Sequence, residues 1–223
     1  MNSLYVSKPY CWAPGIHGSS EWSEWKAGIR NIVRSEEAPE LTFTSPIFRR
    51  RLSQISRMTV QTVHDIVEAE FSTEKMRNEI QQVFISLRGE IKREFSINEK
   101  LIKEGEVSPS AFSLSVFNTP IALAAIQCSL KAGYSVIFPS GQEFSAALKA
   151  ACAPVLCGDR QDILLVYSDE FVPECYGNLR PEKNESLSFS ILISGQKKND
   201  RHRELSLQDF SVQSPSEFLR RLL

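Results

Sequence analysis

Residues 134–156 read YSVIFPSGQEFSAALKAACAPVL. A short apolar run, Tyr134 to Phe138, meets a Pro-Ser-Gly turn, and an alanine-rich segment follows. Strand, tight turn and buried helix in that order make an elbow. One side chain at such a bend is held at a helix N-terminus, where the macrodipole and free N–H groups favour negative charge. The bend here holds Pro139, Ser140, Gly141 and Gln142, while the nearby cysteines, Cys152 and Cys157, lie too far along to stand in it. A serine nucleophile would usually sit in G-x-S-x-G, but the frame is F-P-S-G-Q, and Phe138 would crowd a strained turn. Ser140 reads better as a turn residue capping the helix. A stand-alone serine acyl hydrolase or transferase using Ser140 is the alternative.

Outward from the elbow, the pattern alternates between helices and buried strands. ILLVY at 163–167 is a continuous apolar run of strand length, as in a central strand covered on both faces. VFISL within 82–87 and LSFSILIS at 187–194 give further strands, and residues 3–12 a short one. Leu52, Ile55, Thr59, Val63, Ile66 and Val67 recur at helical steps, predicting one helix from Phe48 to Glu70. A helix over 90–104 turns Ile91, Phe95, Leu101 and Ile102 inward and ends at Gly105. PIALAAIQCSL, opening near Thr119 because Pro120 is tolerated only in a first turn, is apolar on nearly every side and so enclosed by protein. The segment 142–153 reads the same way, with Pro154 kinking or ending it. Ser20 is a candidate cap for a helix carrying Trp22 and Trp25, and Ser214 for a short one reaching Leu223. Residues 34–45 read as a loop and 196–205 as a charged turn. This alternation argues for an α/β sheet between helix layers, and without repeats or linkers residues 1–223 read as a single domain.

Bulk properties exclude several classes. A net charge of −1, with 42% hydrophobic and 24% charged residues, gives no global attraction to nucleic acid or an anionic membrane. No apolar run approaches the roughly 20 residues of a membrane span, and the N-terminus lacks a signal-peptide pattern, so a cytoplasmic location is expected. The five cysteines, Cys11, Cys128, Cys152, Cys157 and Cys175, contain no C-x-x-C pair. Cys128 and Cys152 read as buried small hydrophobes. The three histidines, His17, His64 and His202, are scattered, none beside an orienting acid in a local motif. No metal or cofactor is expected.

SPIFRRRLSQISRM, SPSAFSLSVFNTPIALAAI, YSVIFPSGQEFSAALKAA and DILLVYSDE, in that order between Trp12 and Gly195, resemble the β-ketoacyl synthase-like family. More narrowly they are similar to short chain-length-factor subunits of the aryl-polyene type. The resemblance implies an α/β thiolase-like half-fold, the N-terminal half, with a mixed central sheet between helix layers. It places a nucleophilic cysteine at the elbow of an active synthase, where this chain offers Ser140 or Gln142, and paired histidines in a half absent here. A ketosynthase needs a thiolate and nearby imidazoles for decarboxylation and proton handling. The resemblance therefore implies a subunit with no catalytic residues of its own. It would heterodimerise with a full-length β-ketoacyl synthase and shape its acyl or polyene tunnel, with an acyl carrier protein as a further partner. A homodimeric scaffold without acyl chemistry is a second alternative.

Phe112, Phe117, Phe138 and Phe144 are the candidate tunnel or plug residues, with Asn118 beside Phe117 at the interface. Such subunits often carry histidine before that asparagine; Phe117 exchanges a polar group for a steric one. Arg49, Arg50, Arg51 and Arg57 are candidates for docking a carrier protein or the partner, against an ordinary solvated or ion-paired face. They lack the interleaved aromatics or binding motif of a nucleic-acid site. In the implied dimer, strand 134–138 pairs across the two-fold axis, so this chain should depend on its partner.

Overall fold

The centre of the molecule is the apolar run at 163–167, where β5 spans Asp162–Asp169 and every residue from Ile163 onward is buried. The computed structural model describes residues 3–139, 143–176 and 184–223. β5 lies between β3 (Gln81–Ile85), to which it is parallel, and β6 (Leu187–Ser194), to which it is antiparallel. Beyond β3 lies β4 (Tyr134–Ile137), also parallel, at one edge of the sheet. Beyond β6 come β1 (Tyr5–Val6) and β7 (Arg203–Glu204), while β2 (Tyr10–Trp12) pairs with another stretch of β6. The sheet is therefore mixed, with its parallel part at the β4 end.

Alternation along the strands builds two cores, because successive side chains point to opposite faces. Ile163, Leu165, Tyr167, Phe189, Ile191, Val83 and Ile85 face one layer. That layer is α1 (Ser19–Lys26), α8 (Phe144–Leu156) and α9 (Pro215–Leu222), which contribute Trp25, Phe144, Leu148, Cys152, Phe218 and Leu219. Leu164, Val166, Leu192 and Phe84 face the other layer, α3 (Gln54–Glu70) and α7 (Thr119–Gln127). Under α3 the strand supplies hydroxyls rather than methyls: Ser188 and Ser190 each hydrogen-bond Thr62 at 3.0 Å. Buried polar groups are tolerable there because each finds a partner.

Several boundaries differ from the periodicity. The stretch 48–70 is two helices, α2 (Pro46–Arg50) and α3, because Ser53 turns the chain and accepts the Ser56 N–H at 3.2 Å as an N-cap. Ser20 lies inside α1; Gly18 is its cap, and the Glu21 carboxylate takes the His17 and Gly18 N–H groups at 2.6 and 3.2 Å. The helix α5 (Ile91–Glu104) ends at Gly105 as expected, but it packs on α6 (Pro109–Ser113). Ile97 is its buried residue, while Leu101 and Ile102 are exposed. α7 is not enclosed all round, since Ile126 is 72% exposed. Pro154 does not end α8, which runs two residues further to Leu156. A short helix α4 (Glu74–Glu79) precedes β3. Cys128 and Cys152 are buried, as expected.

Candidate functional site at the carboxyl ends of the parallel strands

In parallel α/β sheets, ligands collect beyond the carboxyl ends of the strands, where loops diverge. Here β3, β4 and β5 deliver to that end the loop Ser86–Glu90, the pair Phe138–Pro139, and Asp169–Glu170. Asp169 organises it. Its carboxylate accepts the Ser86 hydroxyl at 2.7 Å, the Leu87 and Arg88 N–H groups at 2.9 and 3.0 Å, and the Tyr167 hydroxyl at 2.7 Å. Arg88 in turn donates through Nη1 to the Glu170 carbonyl at 3.0 Å. Four donors on one buried carboxylate fix the β3 loop against the end of β5.

A second acid group backs this framework. Glu90 accepts the Ser53 and Ser56 hydroxyls at 2.7 and 2.5 Å and lies 3.3 Å from Arg93 Nε. Glu170 accepts the Lys92 N–H at 3.2 Å. Burial pushes the carboxyls of Asp169 and Glu90 up. For Glu170, burial and then the neighbouring charge of Glu90 push it up to about 7.

The open face of this end is a groove of about 480 Å³ lined by Leu87, Arg88, Ile91, Glu94, Phe117, Phe138, Val172 and Tyr176. Phe117 and Phe138 meet edge to face there, 5.6 Å between ring centroids. Phe117 lies directly on Gly89, whose left-handed φ of +59 leaves no room for a side chain: a Cβ would come within 2.6 Å of the ring. Phe138 is 61% exposed there, whereas Phe112, 60% exposed, is not among the residues that line the groove. Asn118 Nδ2 donates to the Tyr134 hydroxyl at 2.8 Å and so ties the start of α7 to β4.

The remaining candidates separate. Phe144 is fully buried between Tyr167 and Phe218, at 5.6 and 5.8 Å, which makes it part of the core rather than the groove. Ser140 and Gln142 lie outside the described residues. Arg49 donates to the Leu41 and Thr44 carbonyls, and Arg57 to the Arg49 carbonyl, so both guanidinium groups stitch loops. Arg50 and Arg51 are exposed. Cys11, Cys128 and Cys152 are thiols pushed up to about 12 by burial. His64 stacks on Phe43 at 3.6 Å, His17 faces Glu37, and His202 is buried near Glu70. Among the described residues no cluster of His, Cys, Asp and Glu could hold a metal, and no helix is long and apolar enough to cross a membrane.

Sequence reasoning missed the Asp169, Ser86 and Arg88 framework, and with it Tyr176 and Ile91 in the groove. One signal was available: two acids, Asp169 and Glu170, stand at the end of the most apolar strand, where an unpaired charge would be costly.

An α/β half-fold with a mixed sheet defines the class, and sequence comparison names the family. This chain belongs to the β-ketoacyl synthase family, whose N-terminal domain it matches over residues 22–218. No curated protein sequence matches it. Among solved structures it is similar to the complex of the ketosynthase ApeO with its chain length factor ApeC from Xenorhabdus doucetiae. The TM-score is 0.73 at 22% identity, over 88% of this chain and 80% of that one. It is also similar to the ishigamide ketosynthase/chain length factor, with TM-score 0.66 and 13% identity over 89% and 64% of the two chains. A β-ketoacyl synthase from Burkholderia phymatum STM815 gives 0.60 at 12%, over 87% and 59%. The chain thus spans four-fifths of one of these relatives and about three-fifths of the others. Together they establish the thiolase-like half-fold.

Proposed function

We propose that this chain is a non-catalytic, chain-length-factor-like subunit that pairs with an active β-ketoacyl synthase and shapes its acyl tunnel. The observation that carries the reading is the groove at the strand ends. Leu87 and Arg88, whose N–H groups are held by the Asp169 carboxylate, line it together with Phe117 and Phe138, which meet edge to face. Aromatic rings in that position act by volume: each added two-carbon unit of a growing chain either finds space or is refused.

The place of β4 at one end of the strand order, among the described residues, supports the partnership. Phe138 and Ile126 are exposed, and an open edge carries free N–H and C=O groups that invite another strand. In the implied dimer β4 pairs across the two-fold axis with its counterpart in the synthase. Arg50 and Arg51 then remain the candidates for contact with the synthase or an acyl carrier protein.

Co-expression with a full-length ketosynthase tests the reading through a stable one-to-one complex. The purified chain, offered labelled acyl thioesters and simple acyl esters, should neither become acylated nor hydrolyse them. Turnover dependent on Ser140 would replace the proposal with the hydrolase, and a homodimer indifferent to ketosynthase would replace it with a scaffold.

A further inference from the structure

On the sheet face away from α3, helices α1 and α9 meet at their C-terminal turns around a concavity of about 560 Å³. Lys26, Ser206, Gln208, Asp209, Ser211, Arg220 and Arg221 line it. Basic residues in a last helical turn ordinarily complement the macrodipole, and most of the charge here is otherwise employed. Arg221 donates to the Gln208 carbonyl and to the Glu217 carboxylate. Asp209, the acid among the lining residues, accepts from both terminal nitrogens of Arg203 at 3.3 and 3.1 Å. It also accepts the Ser206 N–H and hydroxyl at 2.8 and 2.9 Å. Its charge is neutralised and its acceptor capacity is filled.

Lys26 and Arg220 are left over. Among the described residues neither has a carboxylate within ion-pair distance. Arg220 is nevertheless held in place, its guanidinium 4.6 Å over the ring of buried Trp25, and its Nε is buried without a hydrogen-bond partner. The Ser206 and Ser211 hydroxyls donate to Asp209 and to the Leu207 carbonyl, so the donors left in the concavity are a fixed guanidinium fork and an ammonium group, neither with a carboxylate partner among the described residues. Such a set matches a tetrahedral dianion, because the fork presents parallel N–H groups to two oxygens.

We propose that Lys26 and Arg220 form a binding site for the phosphoryl group of a small phosphorylated ligand. The concavity is larger than one phosphate, so it has room for the group the phosphate is attached to. Nucleic acid fits poorly, since the aromatic ring at the site lies beneath Arg220 and offers no face for a base. This site lies apart from the Phe117–Phe138 groove in its lining residues, and the inference does not rest on the acyl-tunnel reading.

Titration of the full chain with inorganic phosphate, pyrophosphate and sodium chloride at matched ionic strength, read by tryptophan fluorescence and calorimetry, tests it. Pyrophosphate and phosphate should bind saturably and perturb the emission of Trp25, whereas chloride should not. Lys26→Gln and Arg220→Gln should each weaken binding about tenfold or more, the loss of one charge-assisted contact. Arg220→Lys, which keeps the charge and loses the fork, should fall between. Should Arg220→Gln fail to fold, Lys26→Gln decides, because Lys26 is exposed and outside the core. Equal responses to chloride and pyrophosphate, or affinity unchanged in Lys26→Gln, overturn the proposal.

Discussion

Phe117 owes its position to a neighbour without a side chain. Gly89 holds a φ of +59 at the turn after β3, and the ring fills the space a Cβ would need. Gly89→Ala therefore combines a left-handed strain with a clash, and should cost about 2–4 kcal/mol in denaturant unfolding. Gly105→Ala, also left-handed (φ +74) but with nothing within 4 Å, should cost only about 1–2 kcal/mol. Equal losses would show that the ring moves aside. Phe117→Ala or Phe112→Ala in the reconstituted pair should lengthen the products, as seen by mass spectrometry of released chains. Unchanged lengths would count against an aromatic gate. Glu170 makes a pH prediction. Its carboxyl is pushed up to about 7 in the folded chain, so between about 4.5 and 7 the folded state holds more protons than the unfolded. This residue's contribution to stability accordingly falls as pH rises through that window and stays low above it. Glu170→Gln should flatten that fall and stabilise the chain at pH 8, by on the order of 2 kcal/mol, while changing little at pH 5. A stability–pH curve identical to that of the parent would remove the argument.

β4 connects the groove to the unpaired sheet edge. The carbonyls of Gly133 and Ile137 accept the Gln82 and Ser86 N–H groups, at 3.2 and 3.4 Å, so alternate residues of β4 turn toward β3. By that alternation the backbone groups of Val136 face the open edge. Val136→Pro deletes an outward donor while sparing the β3 ladder, a position where proline is tolerated. Affinity for a synthase partner, measured by calorimetry or biolayer interferometry, should fall about tenfold or more. The isolated chain's unfolding midpoint should fall no further than in Val136→Ala, which loses the same packing against the core but keeps the donor. Partner affinity left intact would mean that the edge is not the interface. The elements also show what periodicity sees. The strands, α7's start at Thr119 and the end of α5 at Gly105 were legible, because a proline, a glycine or an alternating pattern marks each locally. The break between α2 and α3 was not, since it depends on which serine caps a helix. Leu101 and Ile102 look apolar in sequence and suggest an inward face of α5, yet both are exposed, and α6 packs along the helix.

At the scale of the whole molecule, the two cores cover both faces of the sheet, yet among the described residues β4 forms an edge of it and several large apolar side chains stay exposed. Ile126, Phe112 and Phe138 are each exposed by more than half. A partner that covers them binds the folded state alone, and so raises its thermal midpoint with concentration. The complex with a ketosynthase should therefore melt higher than this chain alone, which should elute from size-exclusion chromatography as a self-associating species. A well-behaved monomer with a cooperative transition and no partner-dependent shift would contradict the dependence.

Sequence by itself determined the layered α/β architecture and the central strand at 163–167. Each is written in short-range periodicity or in the identity of a few consecutive residues. Only the tertiary structure decided which candidates share a site. It brought Phe117 to Phe138 across the carboxyl ends of β3 and β4, sent Phe144 into the core, and occupied Arg49 and Arg57 with backbone carbonyls. It also revealed Asp169 as the clamp of the β3 loop. Those outcomes depend on contacts between residues up to about eighty positions apart in the chain, as between Ser86 and Asp169, and no local pattern records where a side chain will find its partner.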